Sequence, residues 1–230
     1  PATTEIYTLS LHAALPICTL LASLFPPEVA VYFSPALPAN AILLAAESDC
    51  IGDMVEKRRL EFTHGRYCAH QAMQLLGMSV VAIPKGTDRA PVWPDGIIGS
   101  ISHSGDTAAA VITQSSELAA IGLDLESSEA LSAEIAAMVC RPDEQISDAG
   151  DRAKLLFCIK EAVYKCIYPR IGCYVDFQEM QILLNEADAT FRAQSHSQNF
   201  DANLIKGLQG QYHKNQEMII TSAWISQPGK

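Results

Sequence analysis

The stretch Ile121-Gly-Leu-Asp-Leu-Glu126 constrains this chain more than any other segment. Apolar and polar residues alternate strictly. A strand there puts Ile121, Leu123 and Leu125 on one face and Gly122, Asp124 and Glu126 on the other. Two carboxylates on one face repel each other unless water or a cation screens them. A hard cation such as Mg²⁺ takes one or two carboxylates together with phosphate oxygens and water. Taken alone, the segment is either such a metal site or a polar strand edge. Gly122 is expected to leave room for a ligand beside the backbone.

The second constraint lies downstream. Residues Asp151 to Ile167 carry a strong helical pattern, which Pro169 is expected to stop. Phe157, Glu161 and Lys165 are spaced i, i+4, i+8 and share one stripe, with Lys160 beside it. A carboxylate between two lysines suits phosphate and proton chemistry. It is equally the pattern of a solvated Glu–Lys pair, worth roughly a few tenths of a kcal/mol.

Around these segments the chain alternates helices and short strands. Strands are expected at Val29–Phe33, Val80–Ile83 and Ile97–Ser102. Asp53 to Leu76 reads as a long helix capped by Asp53 and ended by Gly77, with Leu60, Tyr67 and Met73 on its apolar face. Lys85 to Gly96 is a turn-rich loop. Ala108–Thr113 and Leu118–Glu126 are expected to pair as a hairpin across Gln114–Glu117. Ala133–Val139 is helical, and strands follow near Phe177–Leu184, Thr190–Ala193 and Met218–Trp224. Each half thus reads as a helix with antiparallel strands, an α+β chain of two similar halves. Gly99-Ser-Ile-Ser-His103 adds a histidine among serines at a strand end. That histidine serves either as a phosphate or proton-transfer group or as a hydrogen-bonded turn residue.

Composition narrows the function. The chain has 230 residues, is 49% hydrophobic and carries a formal net charge of -10. Basic residues are few and local: Lys57, Arg58, Arg59 and Arg66, then Lys85 and Arg89. That distribution suits a small anionic ligand and argues against a nucleic-acid partner. Seven cysteines without a C-x-x-C pair point to reduced thiols and a cytoplasmic location. The apolar stretch Leu9–Phe25 is interrupted by His12 and Pro16 and lacks a basic lead-in. Residues 1–17 read as a suspect, non-native leader, with an N-terminal half over 18–120 and a C-terminal half over 121–230.

In this order, the motifs resemble the phosphopantetheinyl transferases of the Sfp type, with the enterobactin-synthetase branch most similar. The resemblance rests on Ile121-Gly-Leu-Asp-Leu-Glu126 followed by Phe157-x-x-Lys-Glu-Ala-x-Tyr-Lys165. Upstream stand Arg58-Arg-x-x-Phe62, Gly65-Arg66, Pro84-Lys85-Gly86, Pro91-x-Trp93-Pro94 and Ser100-x-Ser-His103. The resemblance implies two related halves forming a pseudo-dimer, with coenzyme A in the cleft between them. It further implies transfer of the 4′-phosphopantetheine group to a serine of an apo carrier protein, releasing 3′,5′-ADP. Asp124, Glu126 and Glu161 would hold Mg²⁺. Arg58, Arg66, Lys85, Ser102 and His103 would bind the 3′-phosphate and adenine end. Lys160 and Lys165 would neutralise the diphosphate. Glu161 and Lys165 would be the catalytic pair, with Glu161 taking the serine proton directly or through water.

The partners implied are carrier proteins of nonribosomal peptide (siderophore), polyketide or fatty-acid synthases, met by a monomer that can join a synthetase complex. Such carriers are typically acidic, as this chain is, so long-range steering opposes the encounter. An apolar docking patch within Ala130–Ile146 is therefore expected. Two other functions use the same residues: a Mg²⁺-dependent phosphohydrolase of nucleotides or coenzyme A, and a non-catalytic coenzyme-A-binding module.

Overall fold

The computed structural model describes residues 17–144 and 149–227, so residues 1–16 of the suspect leader lie outside the described residues. The chain divides into two compact units, Pro1–Gln114 and Ser115–Lys230. Each is built on a long helix packed against an antiparallel sheet.

The first unit contains a helical segment over residues 17–23, here α1. Then come β1 (Ala30–Ser34), α2 (Ala45–Ser48), α3 (Glu56–Leu75), β2 (Ile98–Ser104) and β3 (Thr107–Thr113). The sheet order is β1-β3-β2, antiparallel throughout. β2 and β3 form the hairpin, with Ser104 opposite Thr107. β3 is central, so both its edges are taken. For that reason the hairpin expected between Ala108–Thr113 and Leu118–Glu126 does not form.

Helix α3 lies over all three strands. Its buried stripe is Phe62, Gly65, Ala69, Ala72 and Met73, a run of three- and four-residue steps. Leu60, expected on the apolar face, falls outside that stripe and is exposed. The expected cap does not form either. The N-cap is Val55, without a side-chain bond, because the chain still turns at Asp53 and the helix starts beyond it. The C-terminal end follows the sequence. Gly77 adopts φ 70°, and Gly77 and Met78 donate to the carbonyls of Gln74 and Met73 at 2.9 and 3.1 Å. These are the two bonds of a Schellman end, whose left-handed residue favours glycine.

The strand expected at Val80–Ile83 is absent, since side chains take its backbone groups. Ile83 N–H donates to Glu47 Oε1 at 2.8 Å, and Arg66 Nε donates to the Ile83 carbonyl at 2.5 Å. Glu47 is fully buried on α2 and also accepts from Leu44 N–H and pairs with His70, both at 2.9 Å. Burial pushes its carboxyl up. The bonds from His70, Ile83 and Leu44 outweigh that and hold it below the ordinary carboxylate range.

The second unit runs β4 (Leu118–Ser127), α4 (Ala133–Val139), α5 (Ala149–Ile171), β5 (Met180–Asn185), β6 (Thr190–Ser195), β7 (Gln209–Lys214) and β8 (Met218–Ser226). Its five strands are ordered β4-β8-β7-β6-β5, and α5 packs across β4 and β8. Pro169 does not stop α5. In the last turn its missing N–H costs one bond, and the helix runs on to Ile171. Gly172 N–H then donates to the Tyr168 carbonyl at 2.9 Å. Among the described residues, no helix is long and apolar enough to cross a membrane.

Candidate functional site

In the second unit, β4 and α5 bring the acidic motifs together. Both faces of β4 are buried over most of its length, which rules out a solvated polar edge. Gly122 is the point of contact with the helix. A Cβ there would lie 2.0 Å from the Ala162 carbonyl oxygen and 2.8 Å from the backbone nitrogen of Cys166. The missing side chain admits α5, not a ligand as the sequence suggested. Two residues on, Asp124 is 3% exposed, and Lys165 Nζ donates to its Oδ1 at 2.6 Å. Glu126 accepts from Lys154 Nζ at 2.6 Å, and that ammonium also stands 5.2 Å from the Phe157 ring centroid.

Glu161 joins this group. Burial raises its carboxyl, Asp124 raises it further, Lys165 pulls it down and Glu126 pushes it up again; the net direction is upward. The site is thus three carboxylates and two ammonium groups on the β4–α5 face. The sequence reading missed Lys154. It stands seven residues before Glu161, two helical turns along the same stripe, so the period marks it.

Lys160 does not join. Its Nζ donates to Glu144 Oε2 at 2.6 Å, to the Val139 carbonyl at 2.8 Å and to the Phe177 carbonyl at 2.9 Å. Three acceptors use all three of its protons, at 1% side-chain exposure. The role given to it on a diphosphate is therefore corrected: Lys160 ties α5 to the end of α4 and the turn before β5. Glu144 completes the tie by accepting from Ile182 N–H at 2.6 Å.

Asp124, Glu126 and Glu161 offer hard oxygen donors of the kind Mg²⁺ takes. Among the described residues, no group of three or more His, Cys, Asp or Glu side chains is arranged to hold a metal ion. Lys165 and Lys154 supply the positive charge at two of these carboxylates instead. Beside Glu161 opens a cavity of about 130 Å³ whose walls include Tyr164, Tyr174, Phe177 and Met180. Within the segment expected to dock a partner, α4 leaves Ile135 and Met138 45% and 69% exposed. Residues 145 and 146 lie outside the described residues.

In the first unit the predicted basic residues separate. Arg58 Nη1 lies 3.2 Å from His103 Nε2 and 3.2 Å from Glu61 Oε2. Arg66 is buried, with its guanidinium 4.2 Å from the Phe62 ring centroid and its pKa lowered to about 10, chiefly by desolvation. Its Nε serves the Ile83 carbonyl, so part of its fork is structural. Lys85 sits in the loop, bridged to Pro91, and its N–H meets Cys50 Sγ at 3.3 Å. Ser102 and His103 are neighbours in β2 and therefore face opposite sides of the sheet. His103 is on the α3 side with Ile101; Ser102 is buried on the other.

Comparison with known proteins agrees with this division. Residues 46–113 match the 4′-phosphopantetheinyl transferase N-terminal domain, and residues 120–216 match the 4′-phosphopantetheinyl transferase superfamily. The chain is 29% identical to the 4′-phosphopantetheinyl transferase Svp of Streptomyces mobaraensis over 222 residues, 92% of this chain and 90% of that one. It is 38% identical to enterobactin synthase component D of Salmonella typhi over 124 residues, half of each chain. The 4′-phosphopantetheinyl transferase Npt of Nocardia iowensis is 34% identical over 165 residues, 70% of this chain and 73% of Npt. Matched in both units, the chain belongs to the 4′-phosphopantetheinyl transferase superfamily.

Proposed function

We propose that the protein transfers the 4′-phosphopantetheine group of coenzyme A to a serine hydroxyl of an apo carrier protein. The observation that carries this reading is the meeting of Asp124, Glu126, Glu161 and Lys165 on the β4–α5 face. A serine hydroxyl is a poor nucleophile and needs a base. Glu161 is that base, because it stands beside Asp124 and Lys165 on this face and burial raises its carboxyl's affinity for a proton. The serine oxygen attacks the β-phosphorus of coenzyme A, and its proton passes to a Glu161 carboxylate oxygen. The bond from that phosphorus to the bridging oxygen breaks, and 3′,5′-ADP leaves. Lys165 offsets charge building on the phosphoryl oxygens.

Mg²⁺ bound by Asp124, Glu126 and Glu161 would supply Lewis-acid stabilisation of that charge. Arg58, Lys85 and His103 are assigned to the 3′-phosphate and adenine end. The apolar cavity beside Glu161 suits part of the pantetheine stem. Ile135 and Met138 are proposed to dock the carrier. The name of the enterobactin relative makes a siderophore carrier the partner to try first.

The test is to incubate the protein with coenzyme A, Mg²⁺ and apo carriers of peptide, polyketide and fatty-acid systems, then weigh the carriers. A gain of one phosphopantetheine is expected on at least one. No gain on any, with coenzyme A consumed alone, would replace transfer with hydrolysis.

A further inference from the structure

We infer that Glu61 is a positioning residue that fixes Arg58 and the tautomer of His103, and so tunes recognition of the 3′-phosphate of coenzyme A. The inference rests on the proposed assignment of Arg58 and His103 to that phosphate.

The arrangement begins with a close approach of backbone to side chain. Gly65 lies on α3 where a Cβ would stand 2.7 Å from Ile101 Cγ2, so glycine lets β2 come close to the helix. Strand alternation puts His103 on the same face of β2 as Ile101. Helical spacing puts Arg58 and Glu61 on the stripe that leads to Gly65. His103 therefore meets Arg58 and Glu61 across the α3–β2 seam.

Within this group Glu61 contacts both Arg58 and His103, and it is the least exposed of the three at 18%. Arg58 is 52% exposed and sits in the first turn of α3, where a long side chain would otherwise sample many rotamers. The 3.2 Å bond from Arg58 Nη1 to Glu61 Oε2 holds the guanidinium over His103. Arg58 Nη1 then faces His103 Nε2 at 3.2 Å. Arginine can only donate, so Nε2 is the acceptor and the ring proton resides on Nδ1. Glu61 Oε2 is farther from Nε2, at 3.7 Å. Glu61 thus sets His103 through Arg58. A carboxylate beside an anion site also repels the anion, and the positioning effect is expected to exceed that repulsion, since a loose Arg58 would have to be ordered anew by each ligand.

The experiment compares coenzyme A with 3′-dephospho-coenzyme A in wild type, Glu61→Ala, Glu61→Gln and Arg58→Ala, with carrier mass gain as the assay. Glu61→Ala is expected to raise KM for coenzyme A roughly tenfold, to leave kcat within about twofold and not to move KM for the dephospho substrate. Glu61→Gln keeps an acceptor for Arg58 and should recover part of the loss. Imidazole ¹⁵N shifts of His103 should move from the Nδ1–H form toward Nε2–H in Glu61→Ala and in Arg58→Ala, and less in Glu61→Gln. Equal KM changes for both substrates, or unchanged His103 shifts, would overturn the positioning role even if Arg58→Ala behaves as a phosphate ligand should. A wild type that treats both substrates alike would overturn the phosphate assignment and this inference with it.

Discussion

Lys165 Nζ donates to Asp124 Oδ1 at 2.6 Å and ties the middle of α5 to β4. The same ammonium is the one nearby group that pulls the Glu161 carboxyl down, against burial, Asp124 and Glu126. Lys165→Met should therefore move the Glu161 midpoint further up, and Asp124→Asn should move it down. Carboxyl ¹³C titration of the metal-free protein reads both shifts. Because the base works ionised, kcat/KM should fall on the acid side as Glu161 takes up a proton. A Glu161 midpoint that fell in Lys165→Met would contradict the assigned pairing.

Lys160 and Glu144 form a buried pair at 2.6 Å with side-chain exposures of 1% and 4%. Removing one partner leaves an uncompensated charge. Lys160→Met should cost about 3–5 kcal/mol in urea unfolding. The double variant Lys160→Met, Glu144→Leu should recover a large part of that, because an apolar pair of similar volume escapes the desolvation penalty. It will not recover all, since Glu144 also accepts from Ile182 N–H. A double variant as unstable as the single one would show that the uncompensated Glu144 charge is not what makes Lys160→Met costly.

The β4–α5 face of the candidate site was legible in the sequence because its signals are periodic. Alternation at Ile121–Glu126 and four-residue steps at Phe157–Lys165 fix which residues share a side, and both patterns survive tertiary packing. What stayed hidden depended on distant partners. The sequence marks Lys160 as one more lysine beside Glu161, and nothing local shows that two backbone carbonyls and Glu144 take its protons. The family resemblance groups Arg66 with Arg58, but Phe62 and the Ile83 carbonyl draw it inward. β7 was missed for a different reason. Gln209–Lys214 is a polar run without alternation, and it forms a strand because β6 and β8 offer edges on either side.

His64 supplies a pH dependence of stability. It is 5% exposed, and its Nε2 is buried without a hydrogen-bond partner. Burial, helped by the nearby His103 and opposed by Asp106, lowers its pKa to about 4. The sign follows from linkage. Above the unfolded value neither state is protonated and His64 costs nothing. As pH falls below it, the unfolded chain binds a proton that the folded chain refuses, and stability drops until about pH 4. The loss amounts to about 3 kcal/mol across that window. His64→Gln should flatten this part of the curve relative to wild type, in urea midpoints taken between those pH values. Parallel curves would mean that His64 is protonated in the fold.

Gly122 tests whether the β4–α5 seam positions the acidic group. A methyl at this position would stand 2.0 Å from the Ala162 carbonyl oxygen and 2.8 Å from Cys166 N and Cβ, none of which a rotamer change can move away. Gly122→Ala must push α5 away from β4 and should cost about 1–3 kcal/mol, the usual range for overpacking, or more. The displacement would lengthen the bonds from Lys165 to Asp124 and from Lys154 to Glu126, since both cross the same seam. Transfer activity should fall by at least about 100-fold at a temperature where the variant is still folded, as expected when catalytic groups shift by about an ångström. Circular dichroism fixes that temperature, and the carrier mass assay reads the rate. A folded variant with full activity would show that α5 can move off β4 without disturbing the site. The three carboxylates would then owe their arrangement to the strand and the helix separately, not to the contact between them.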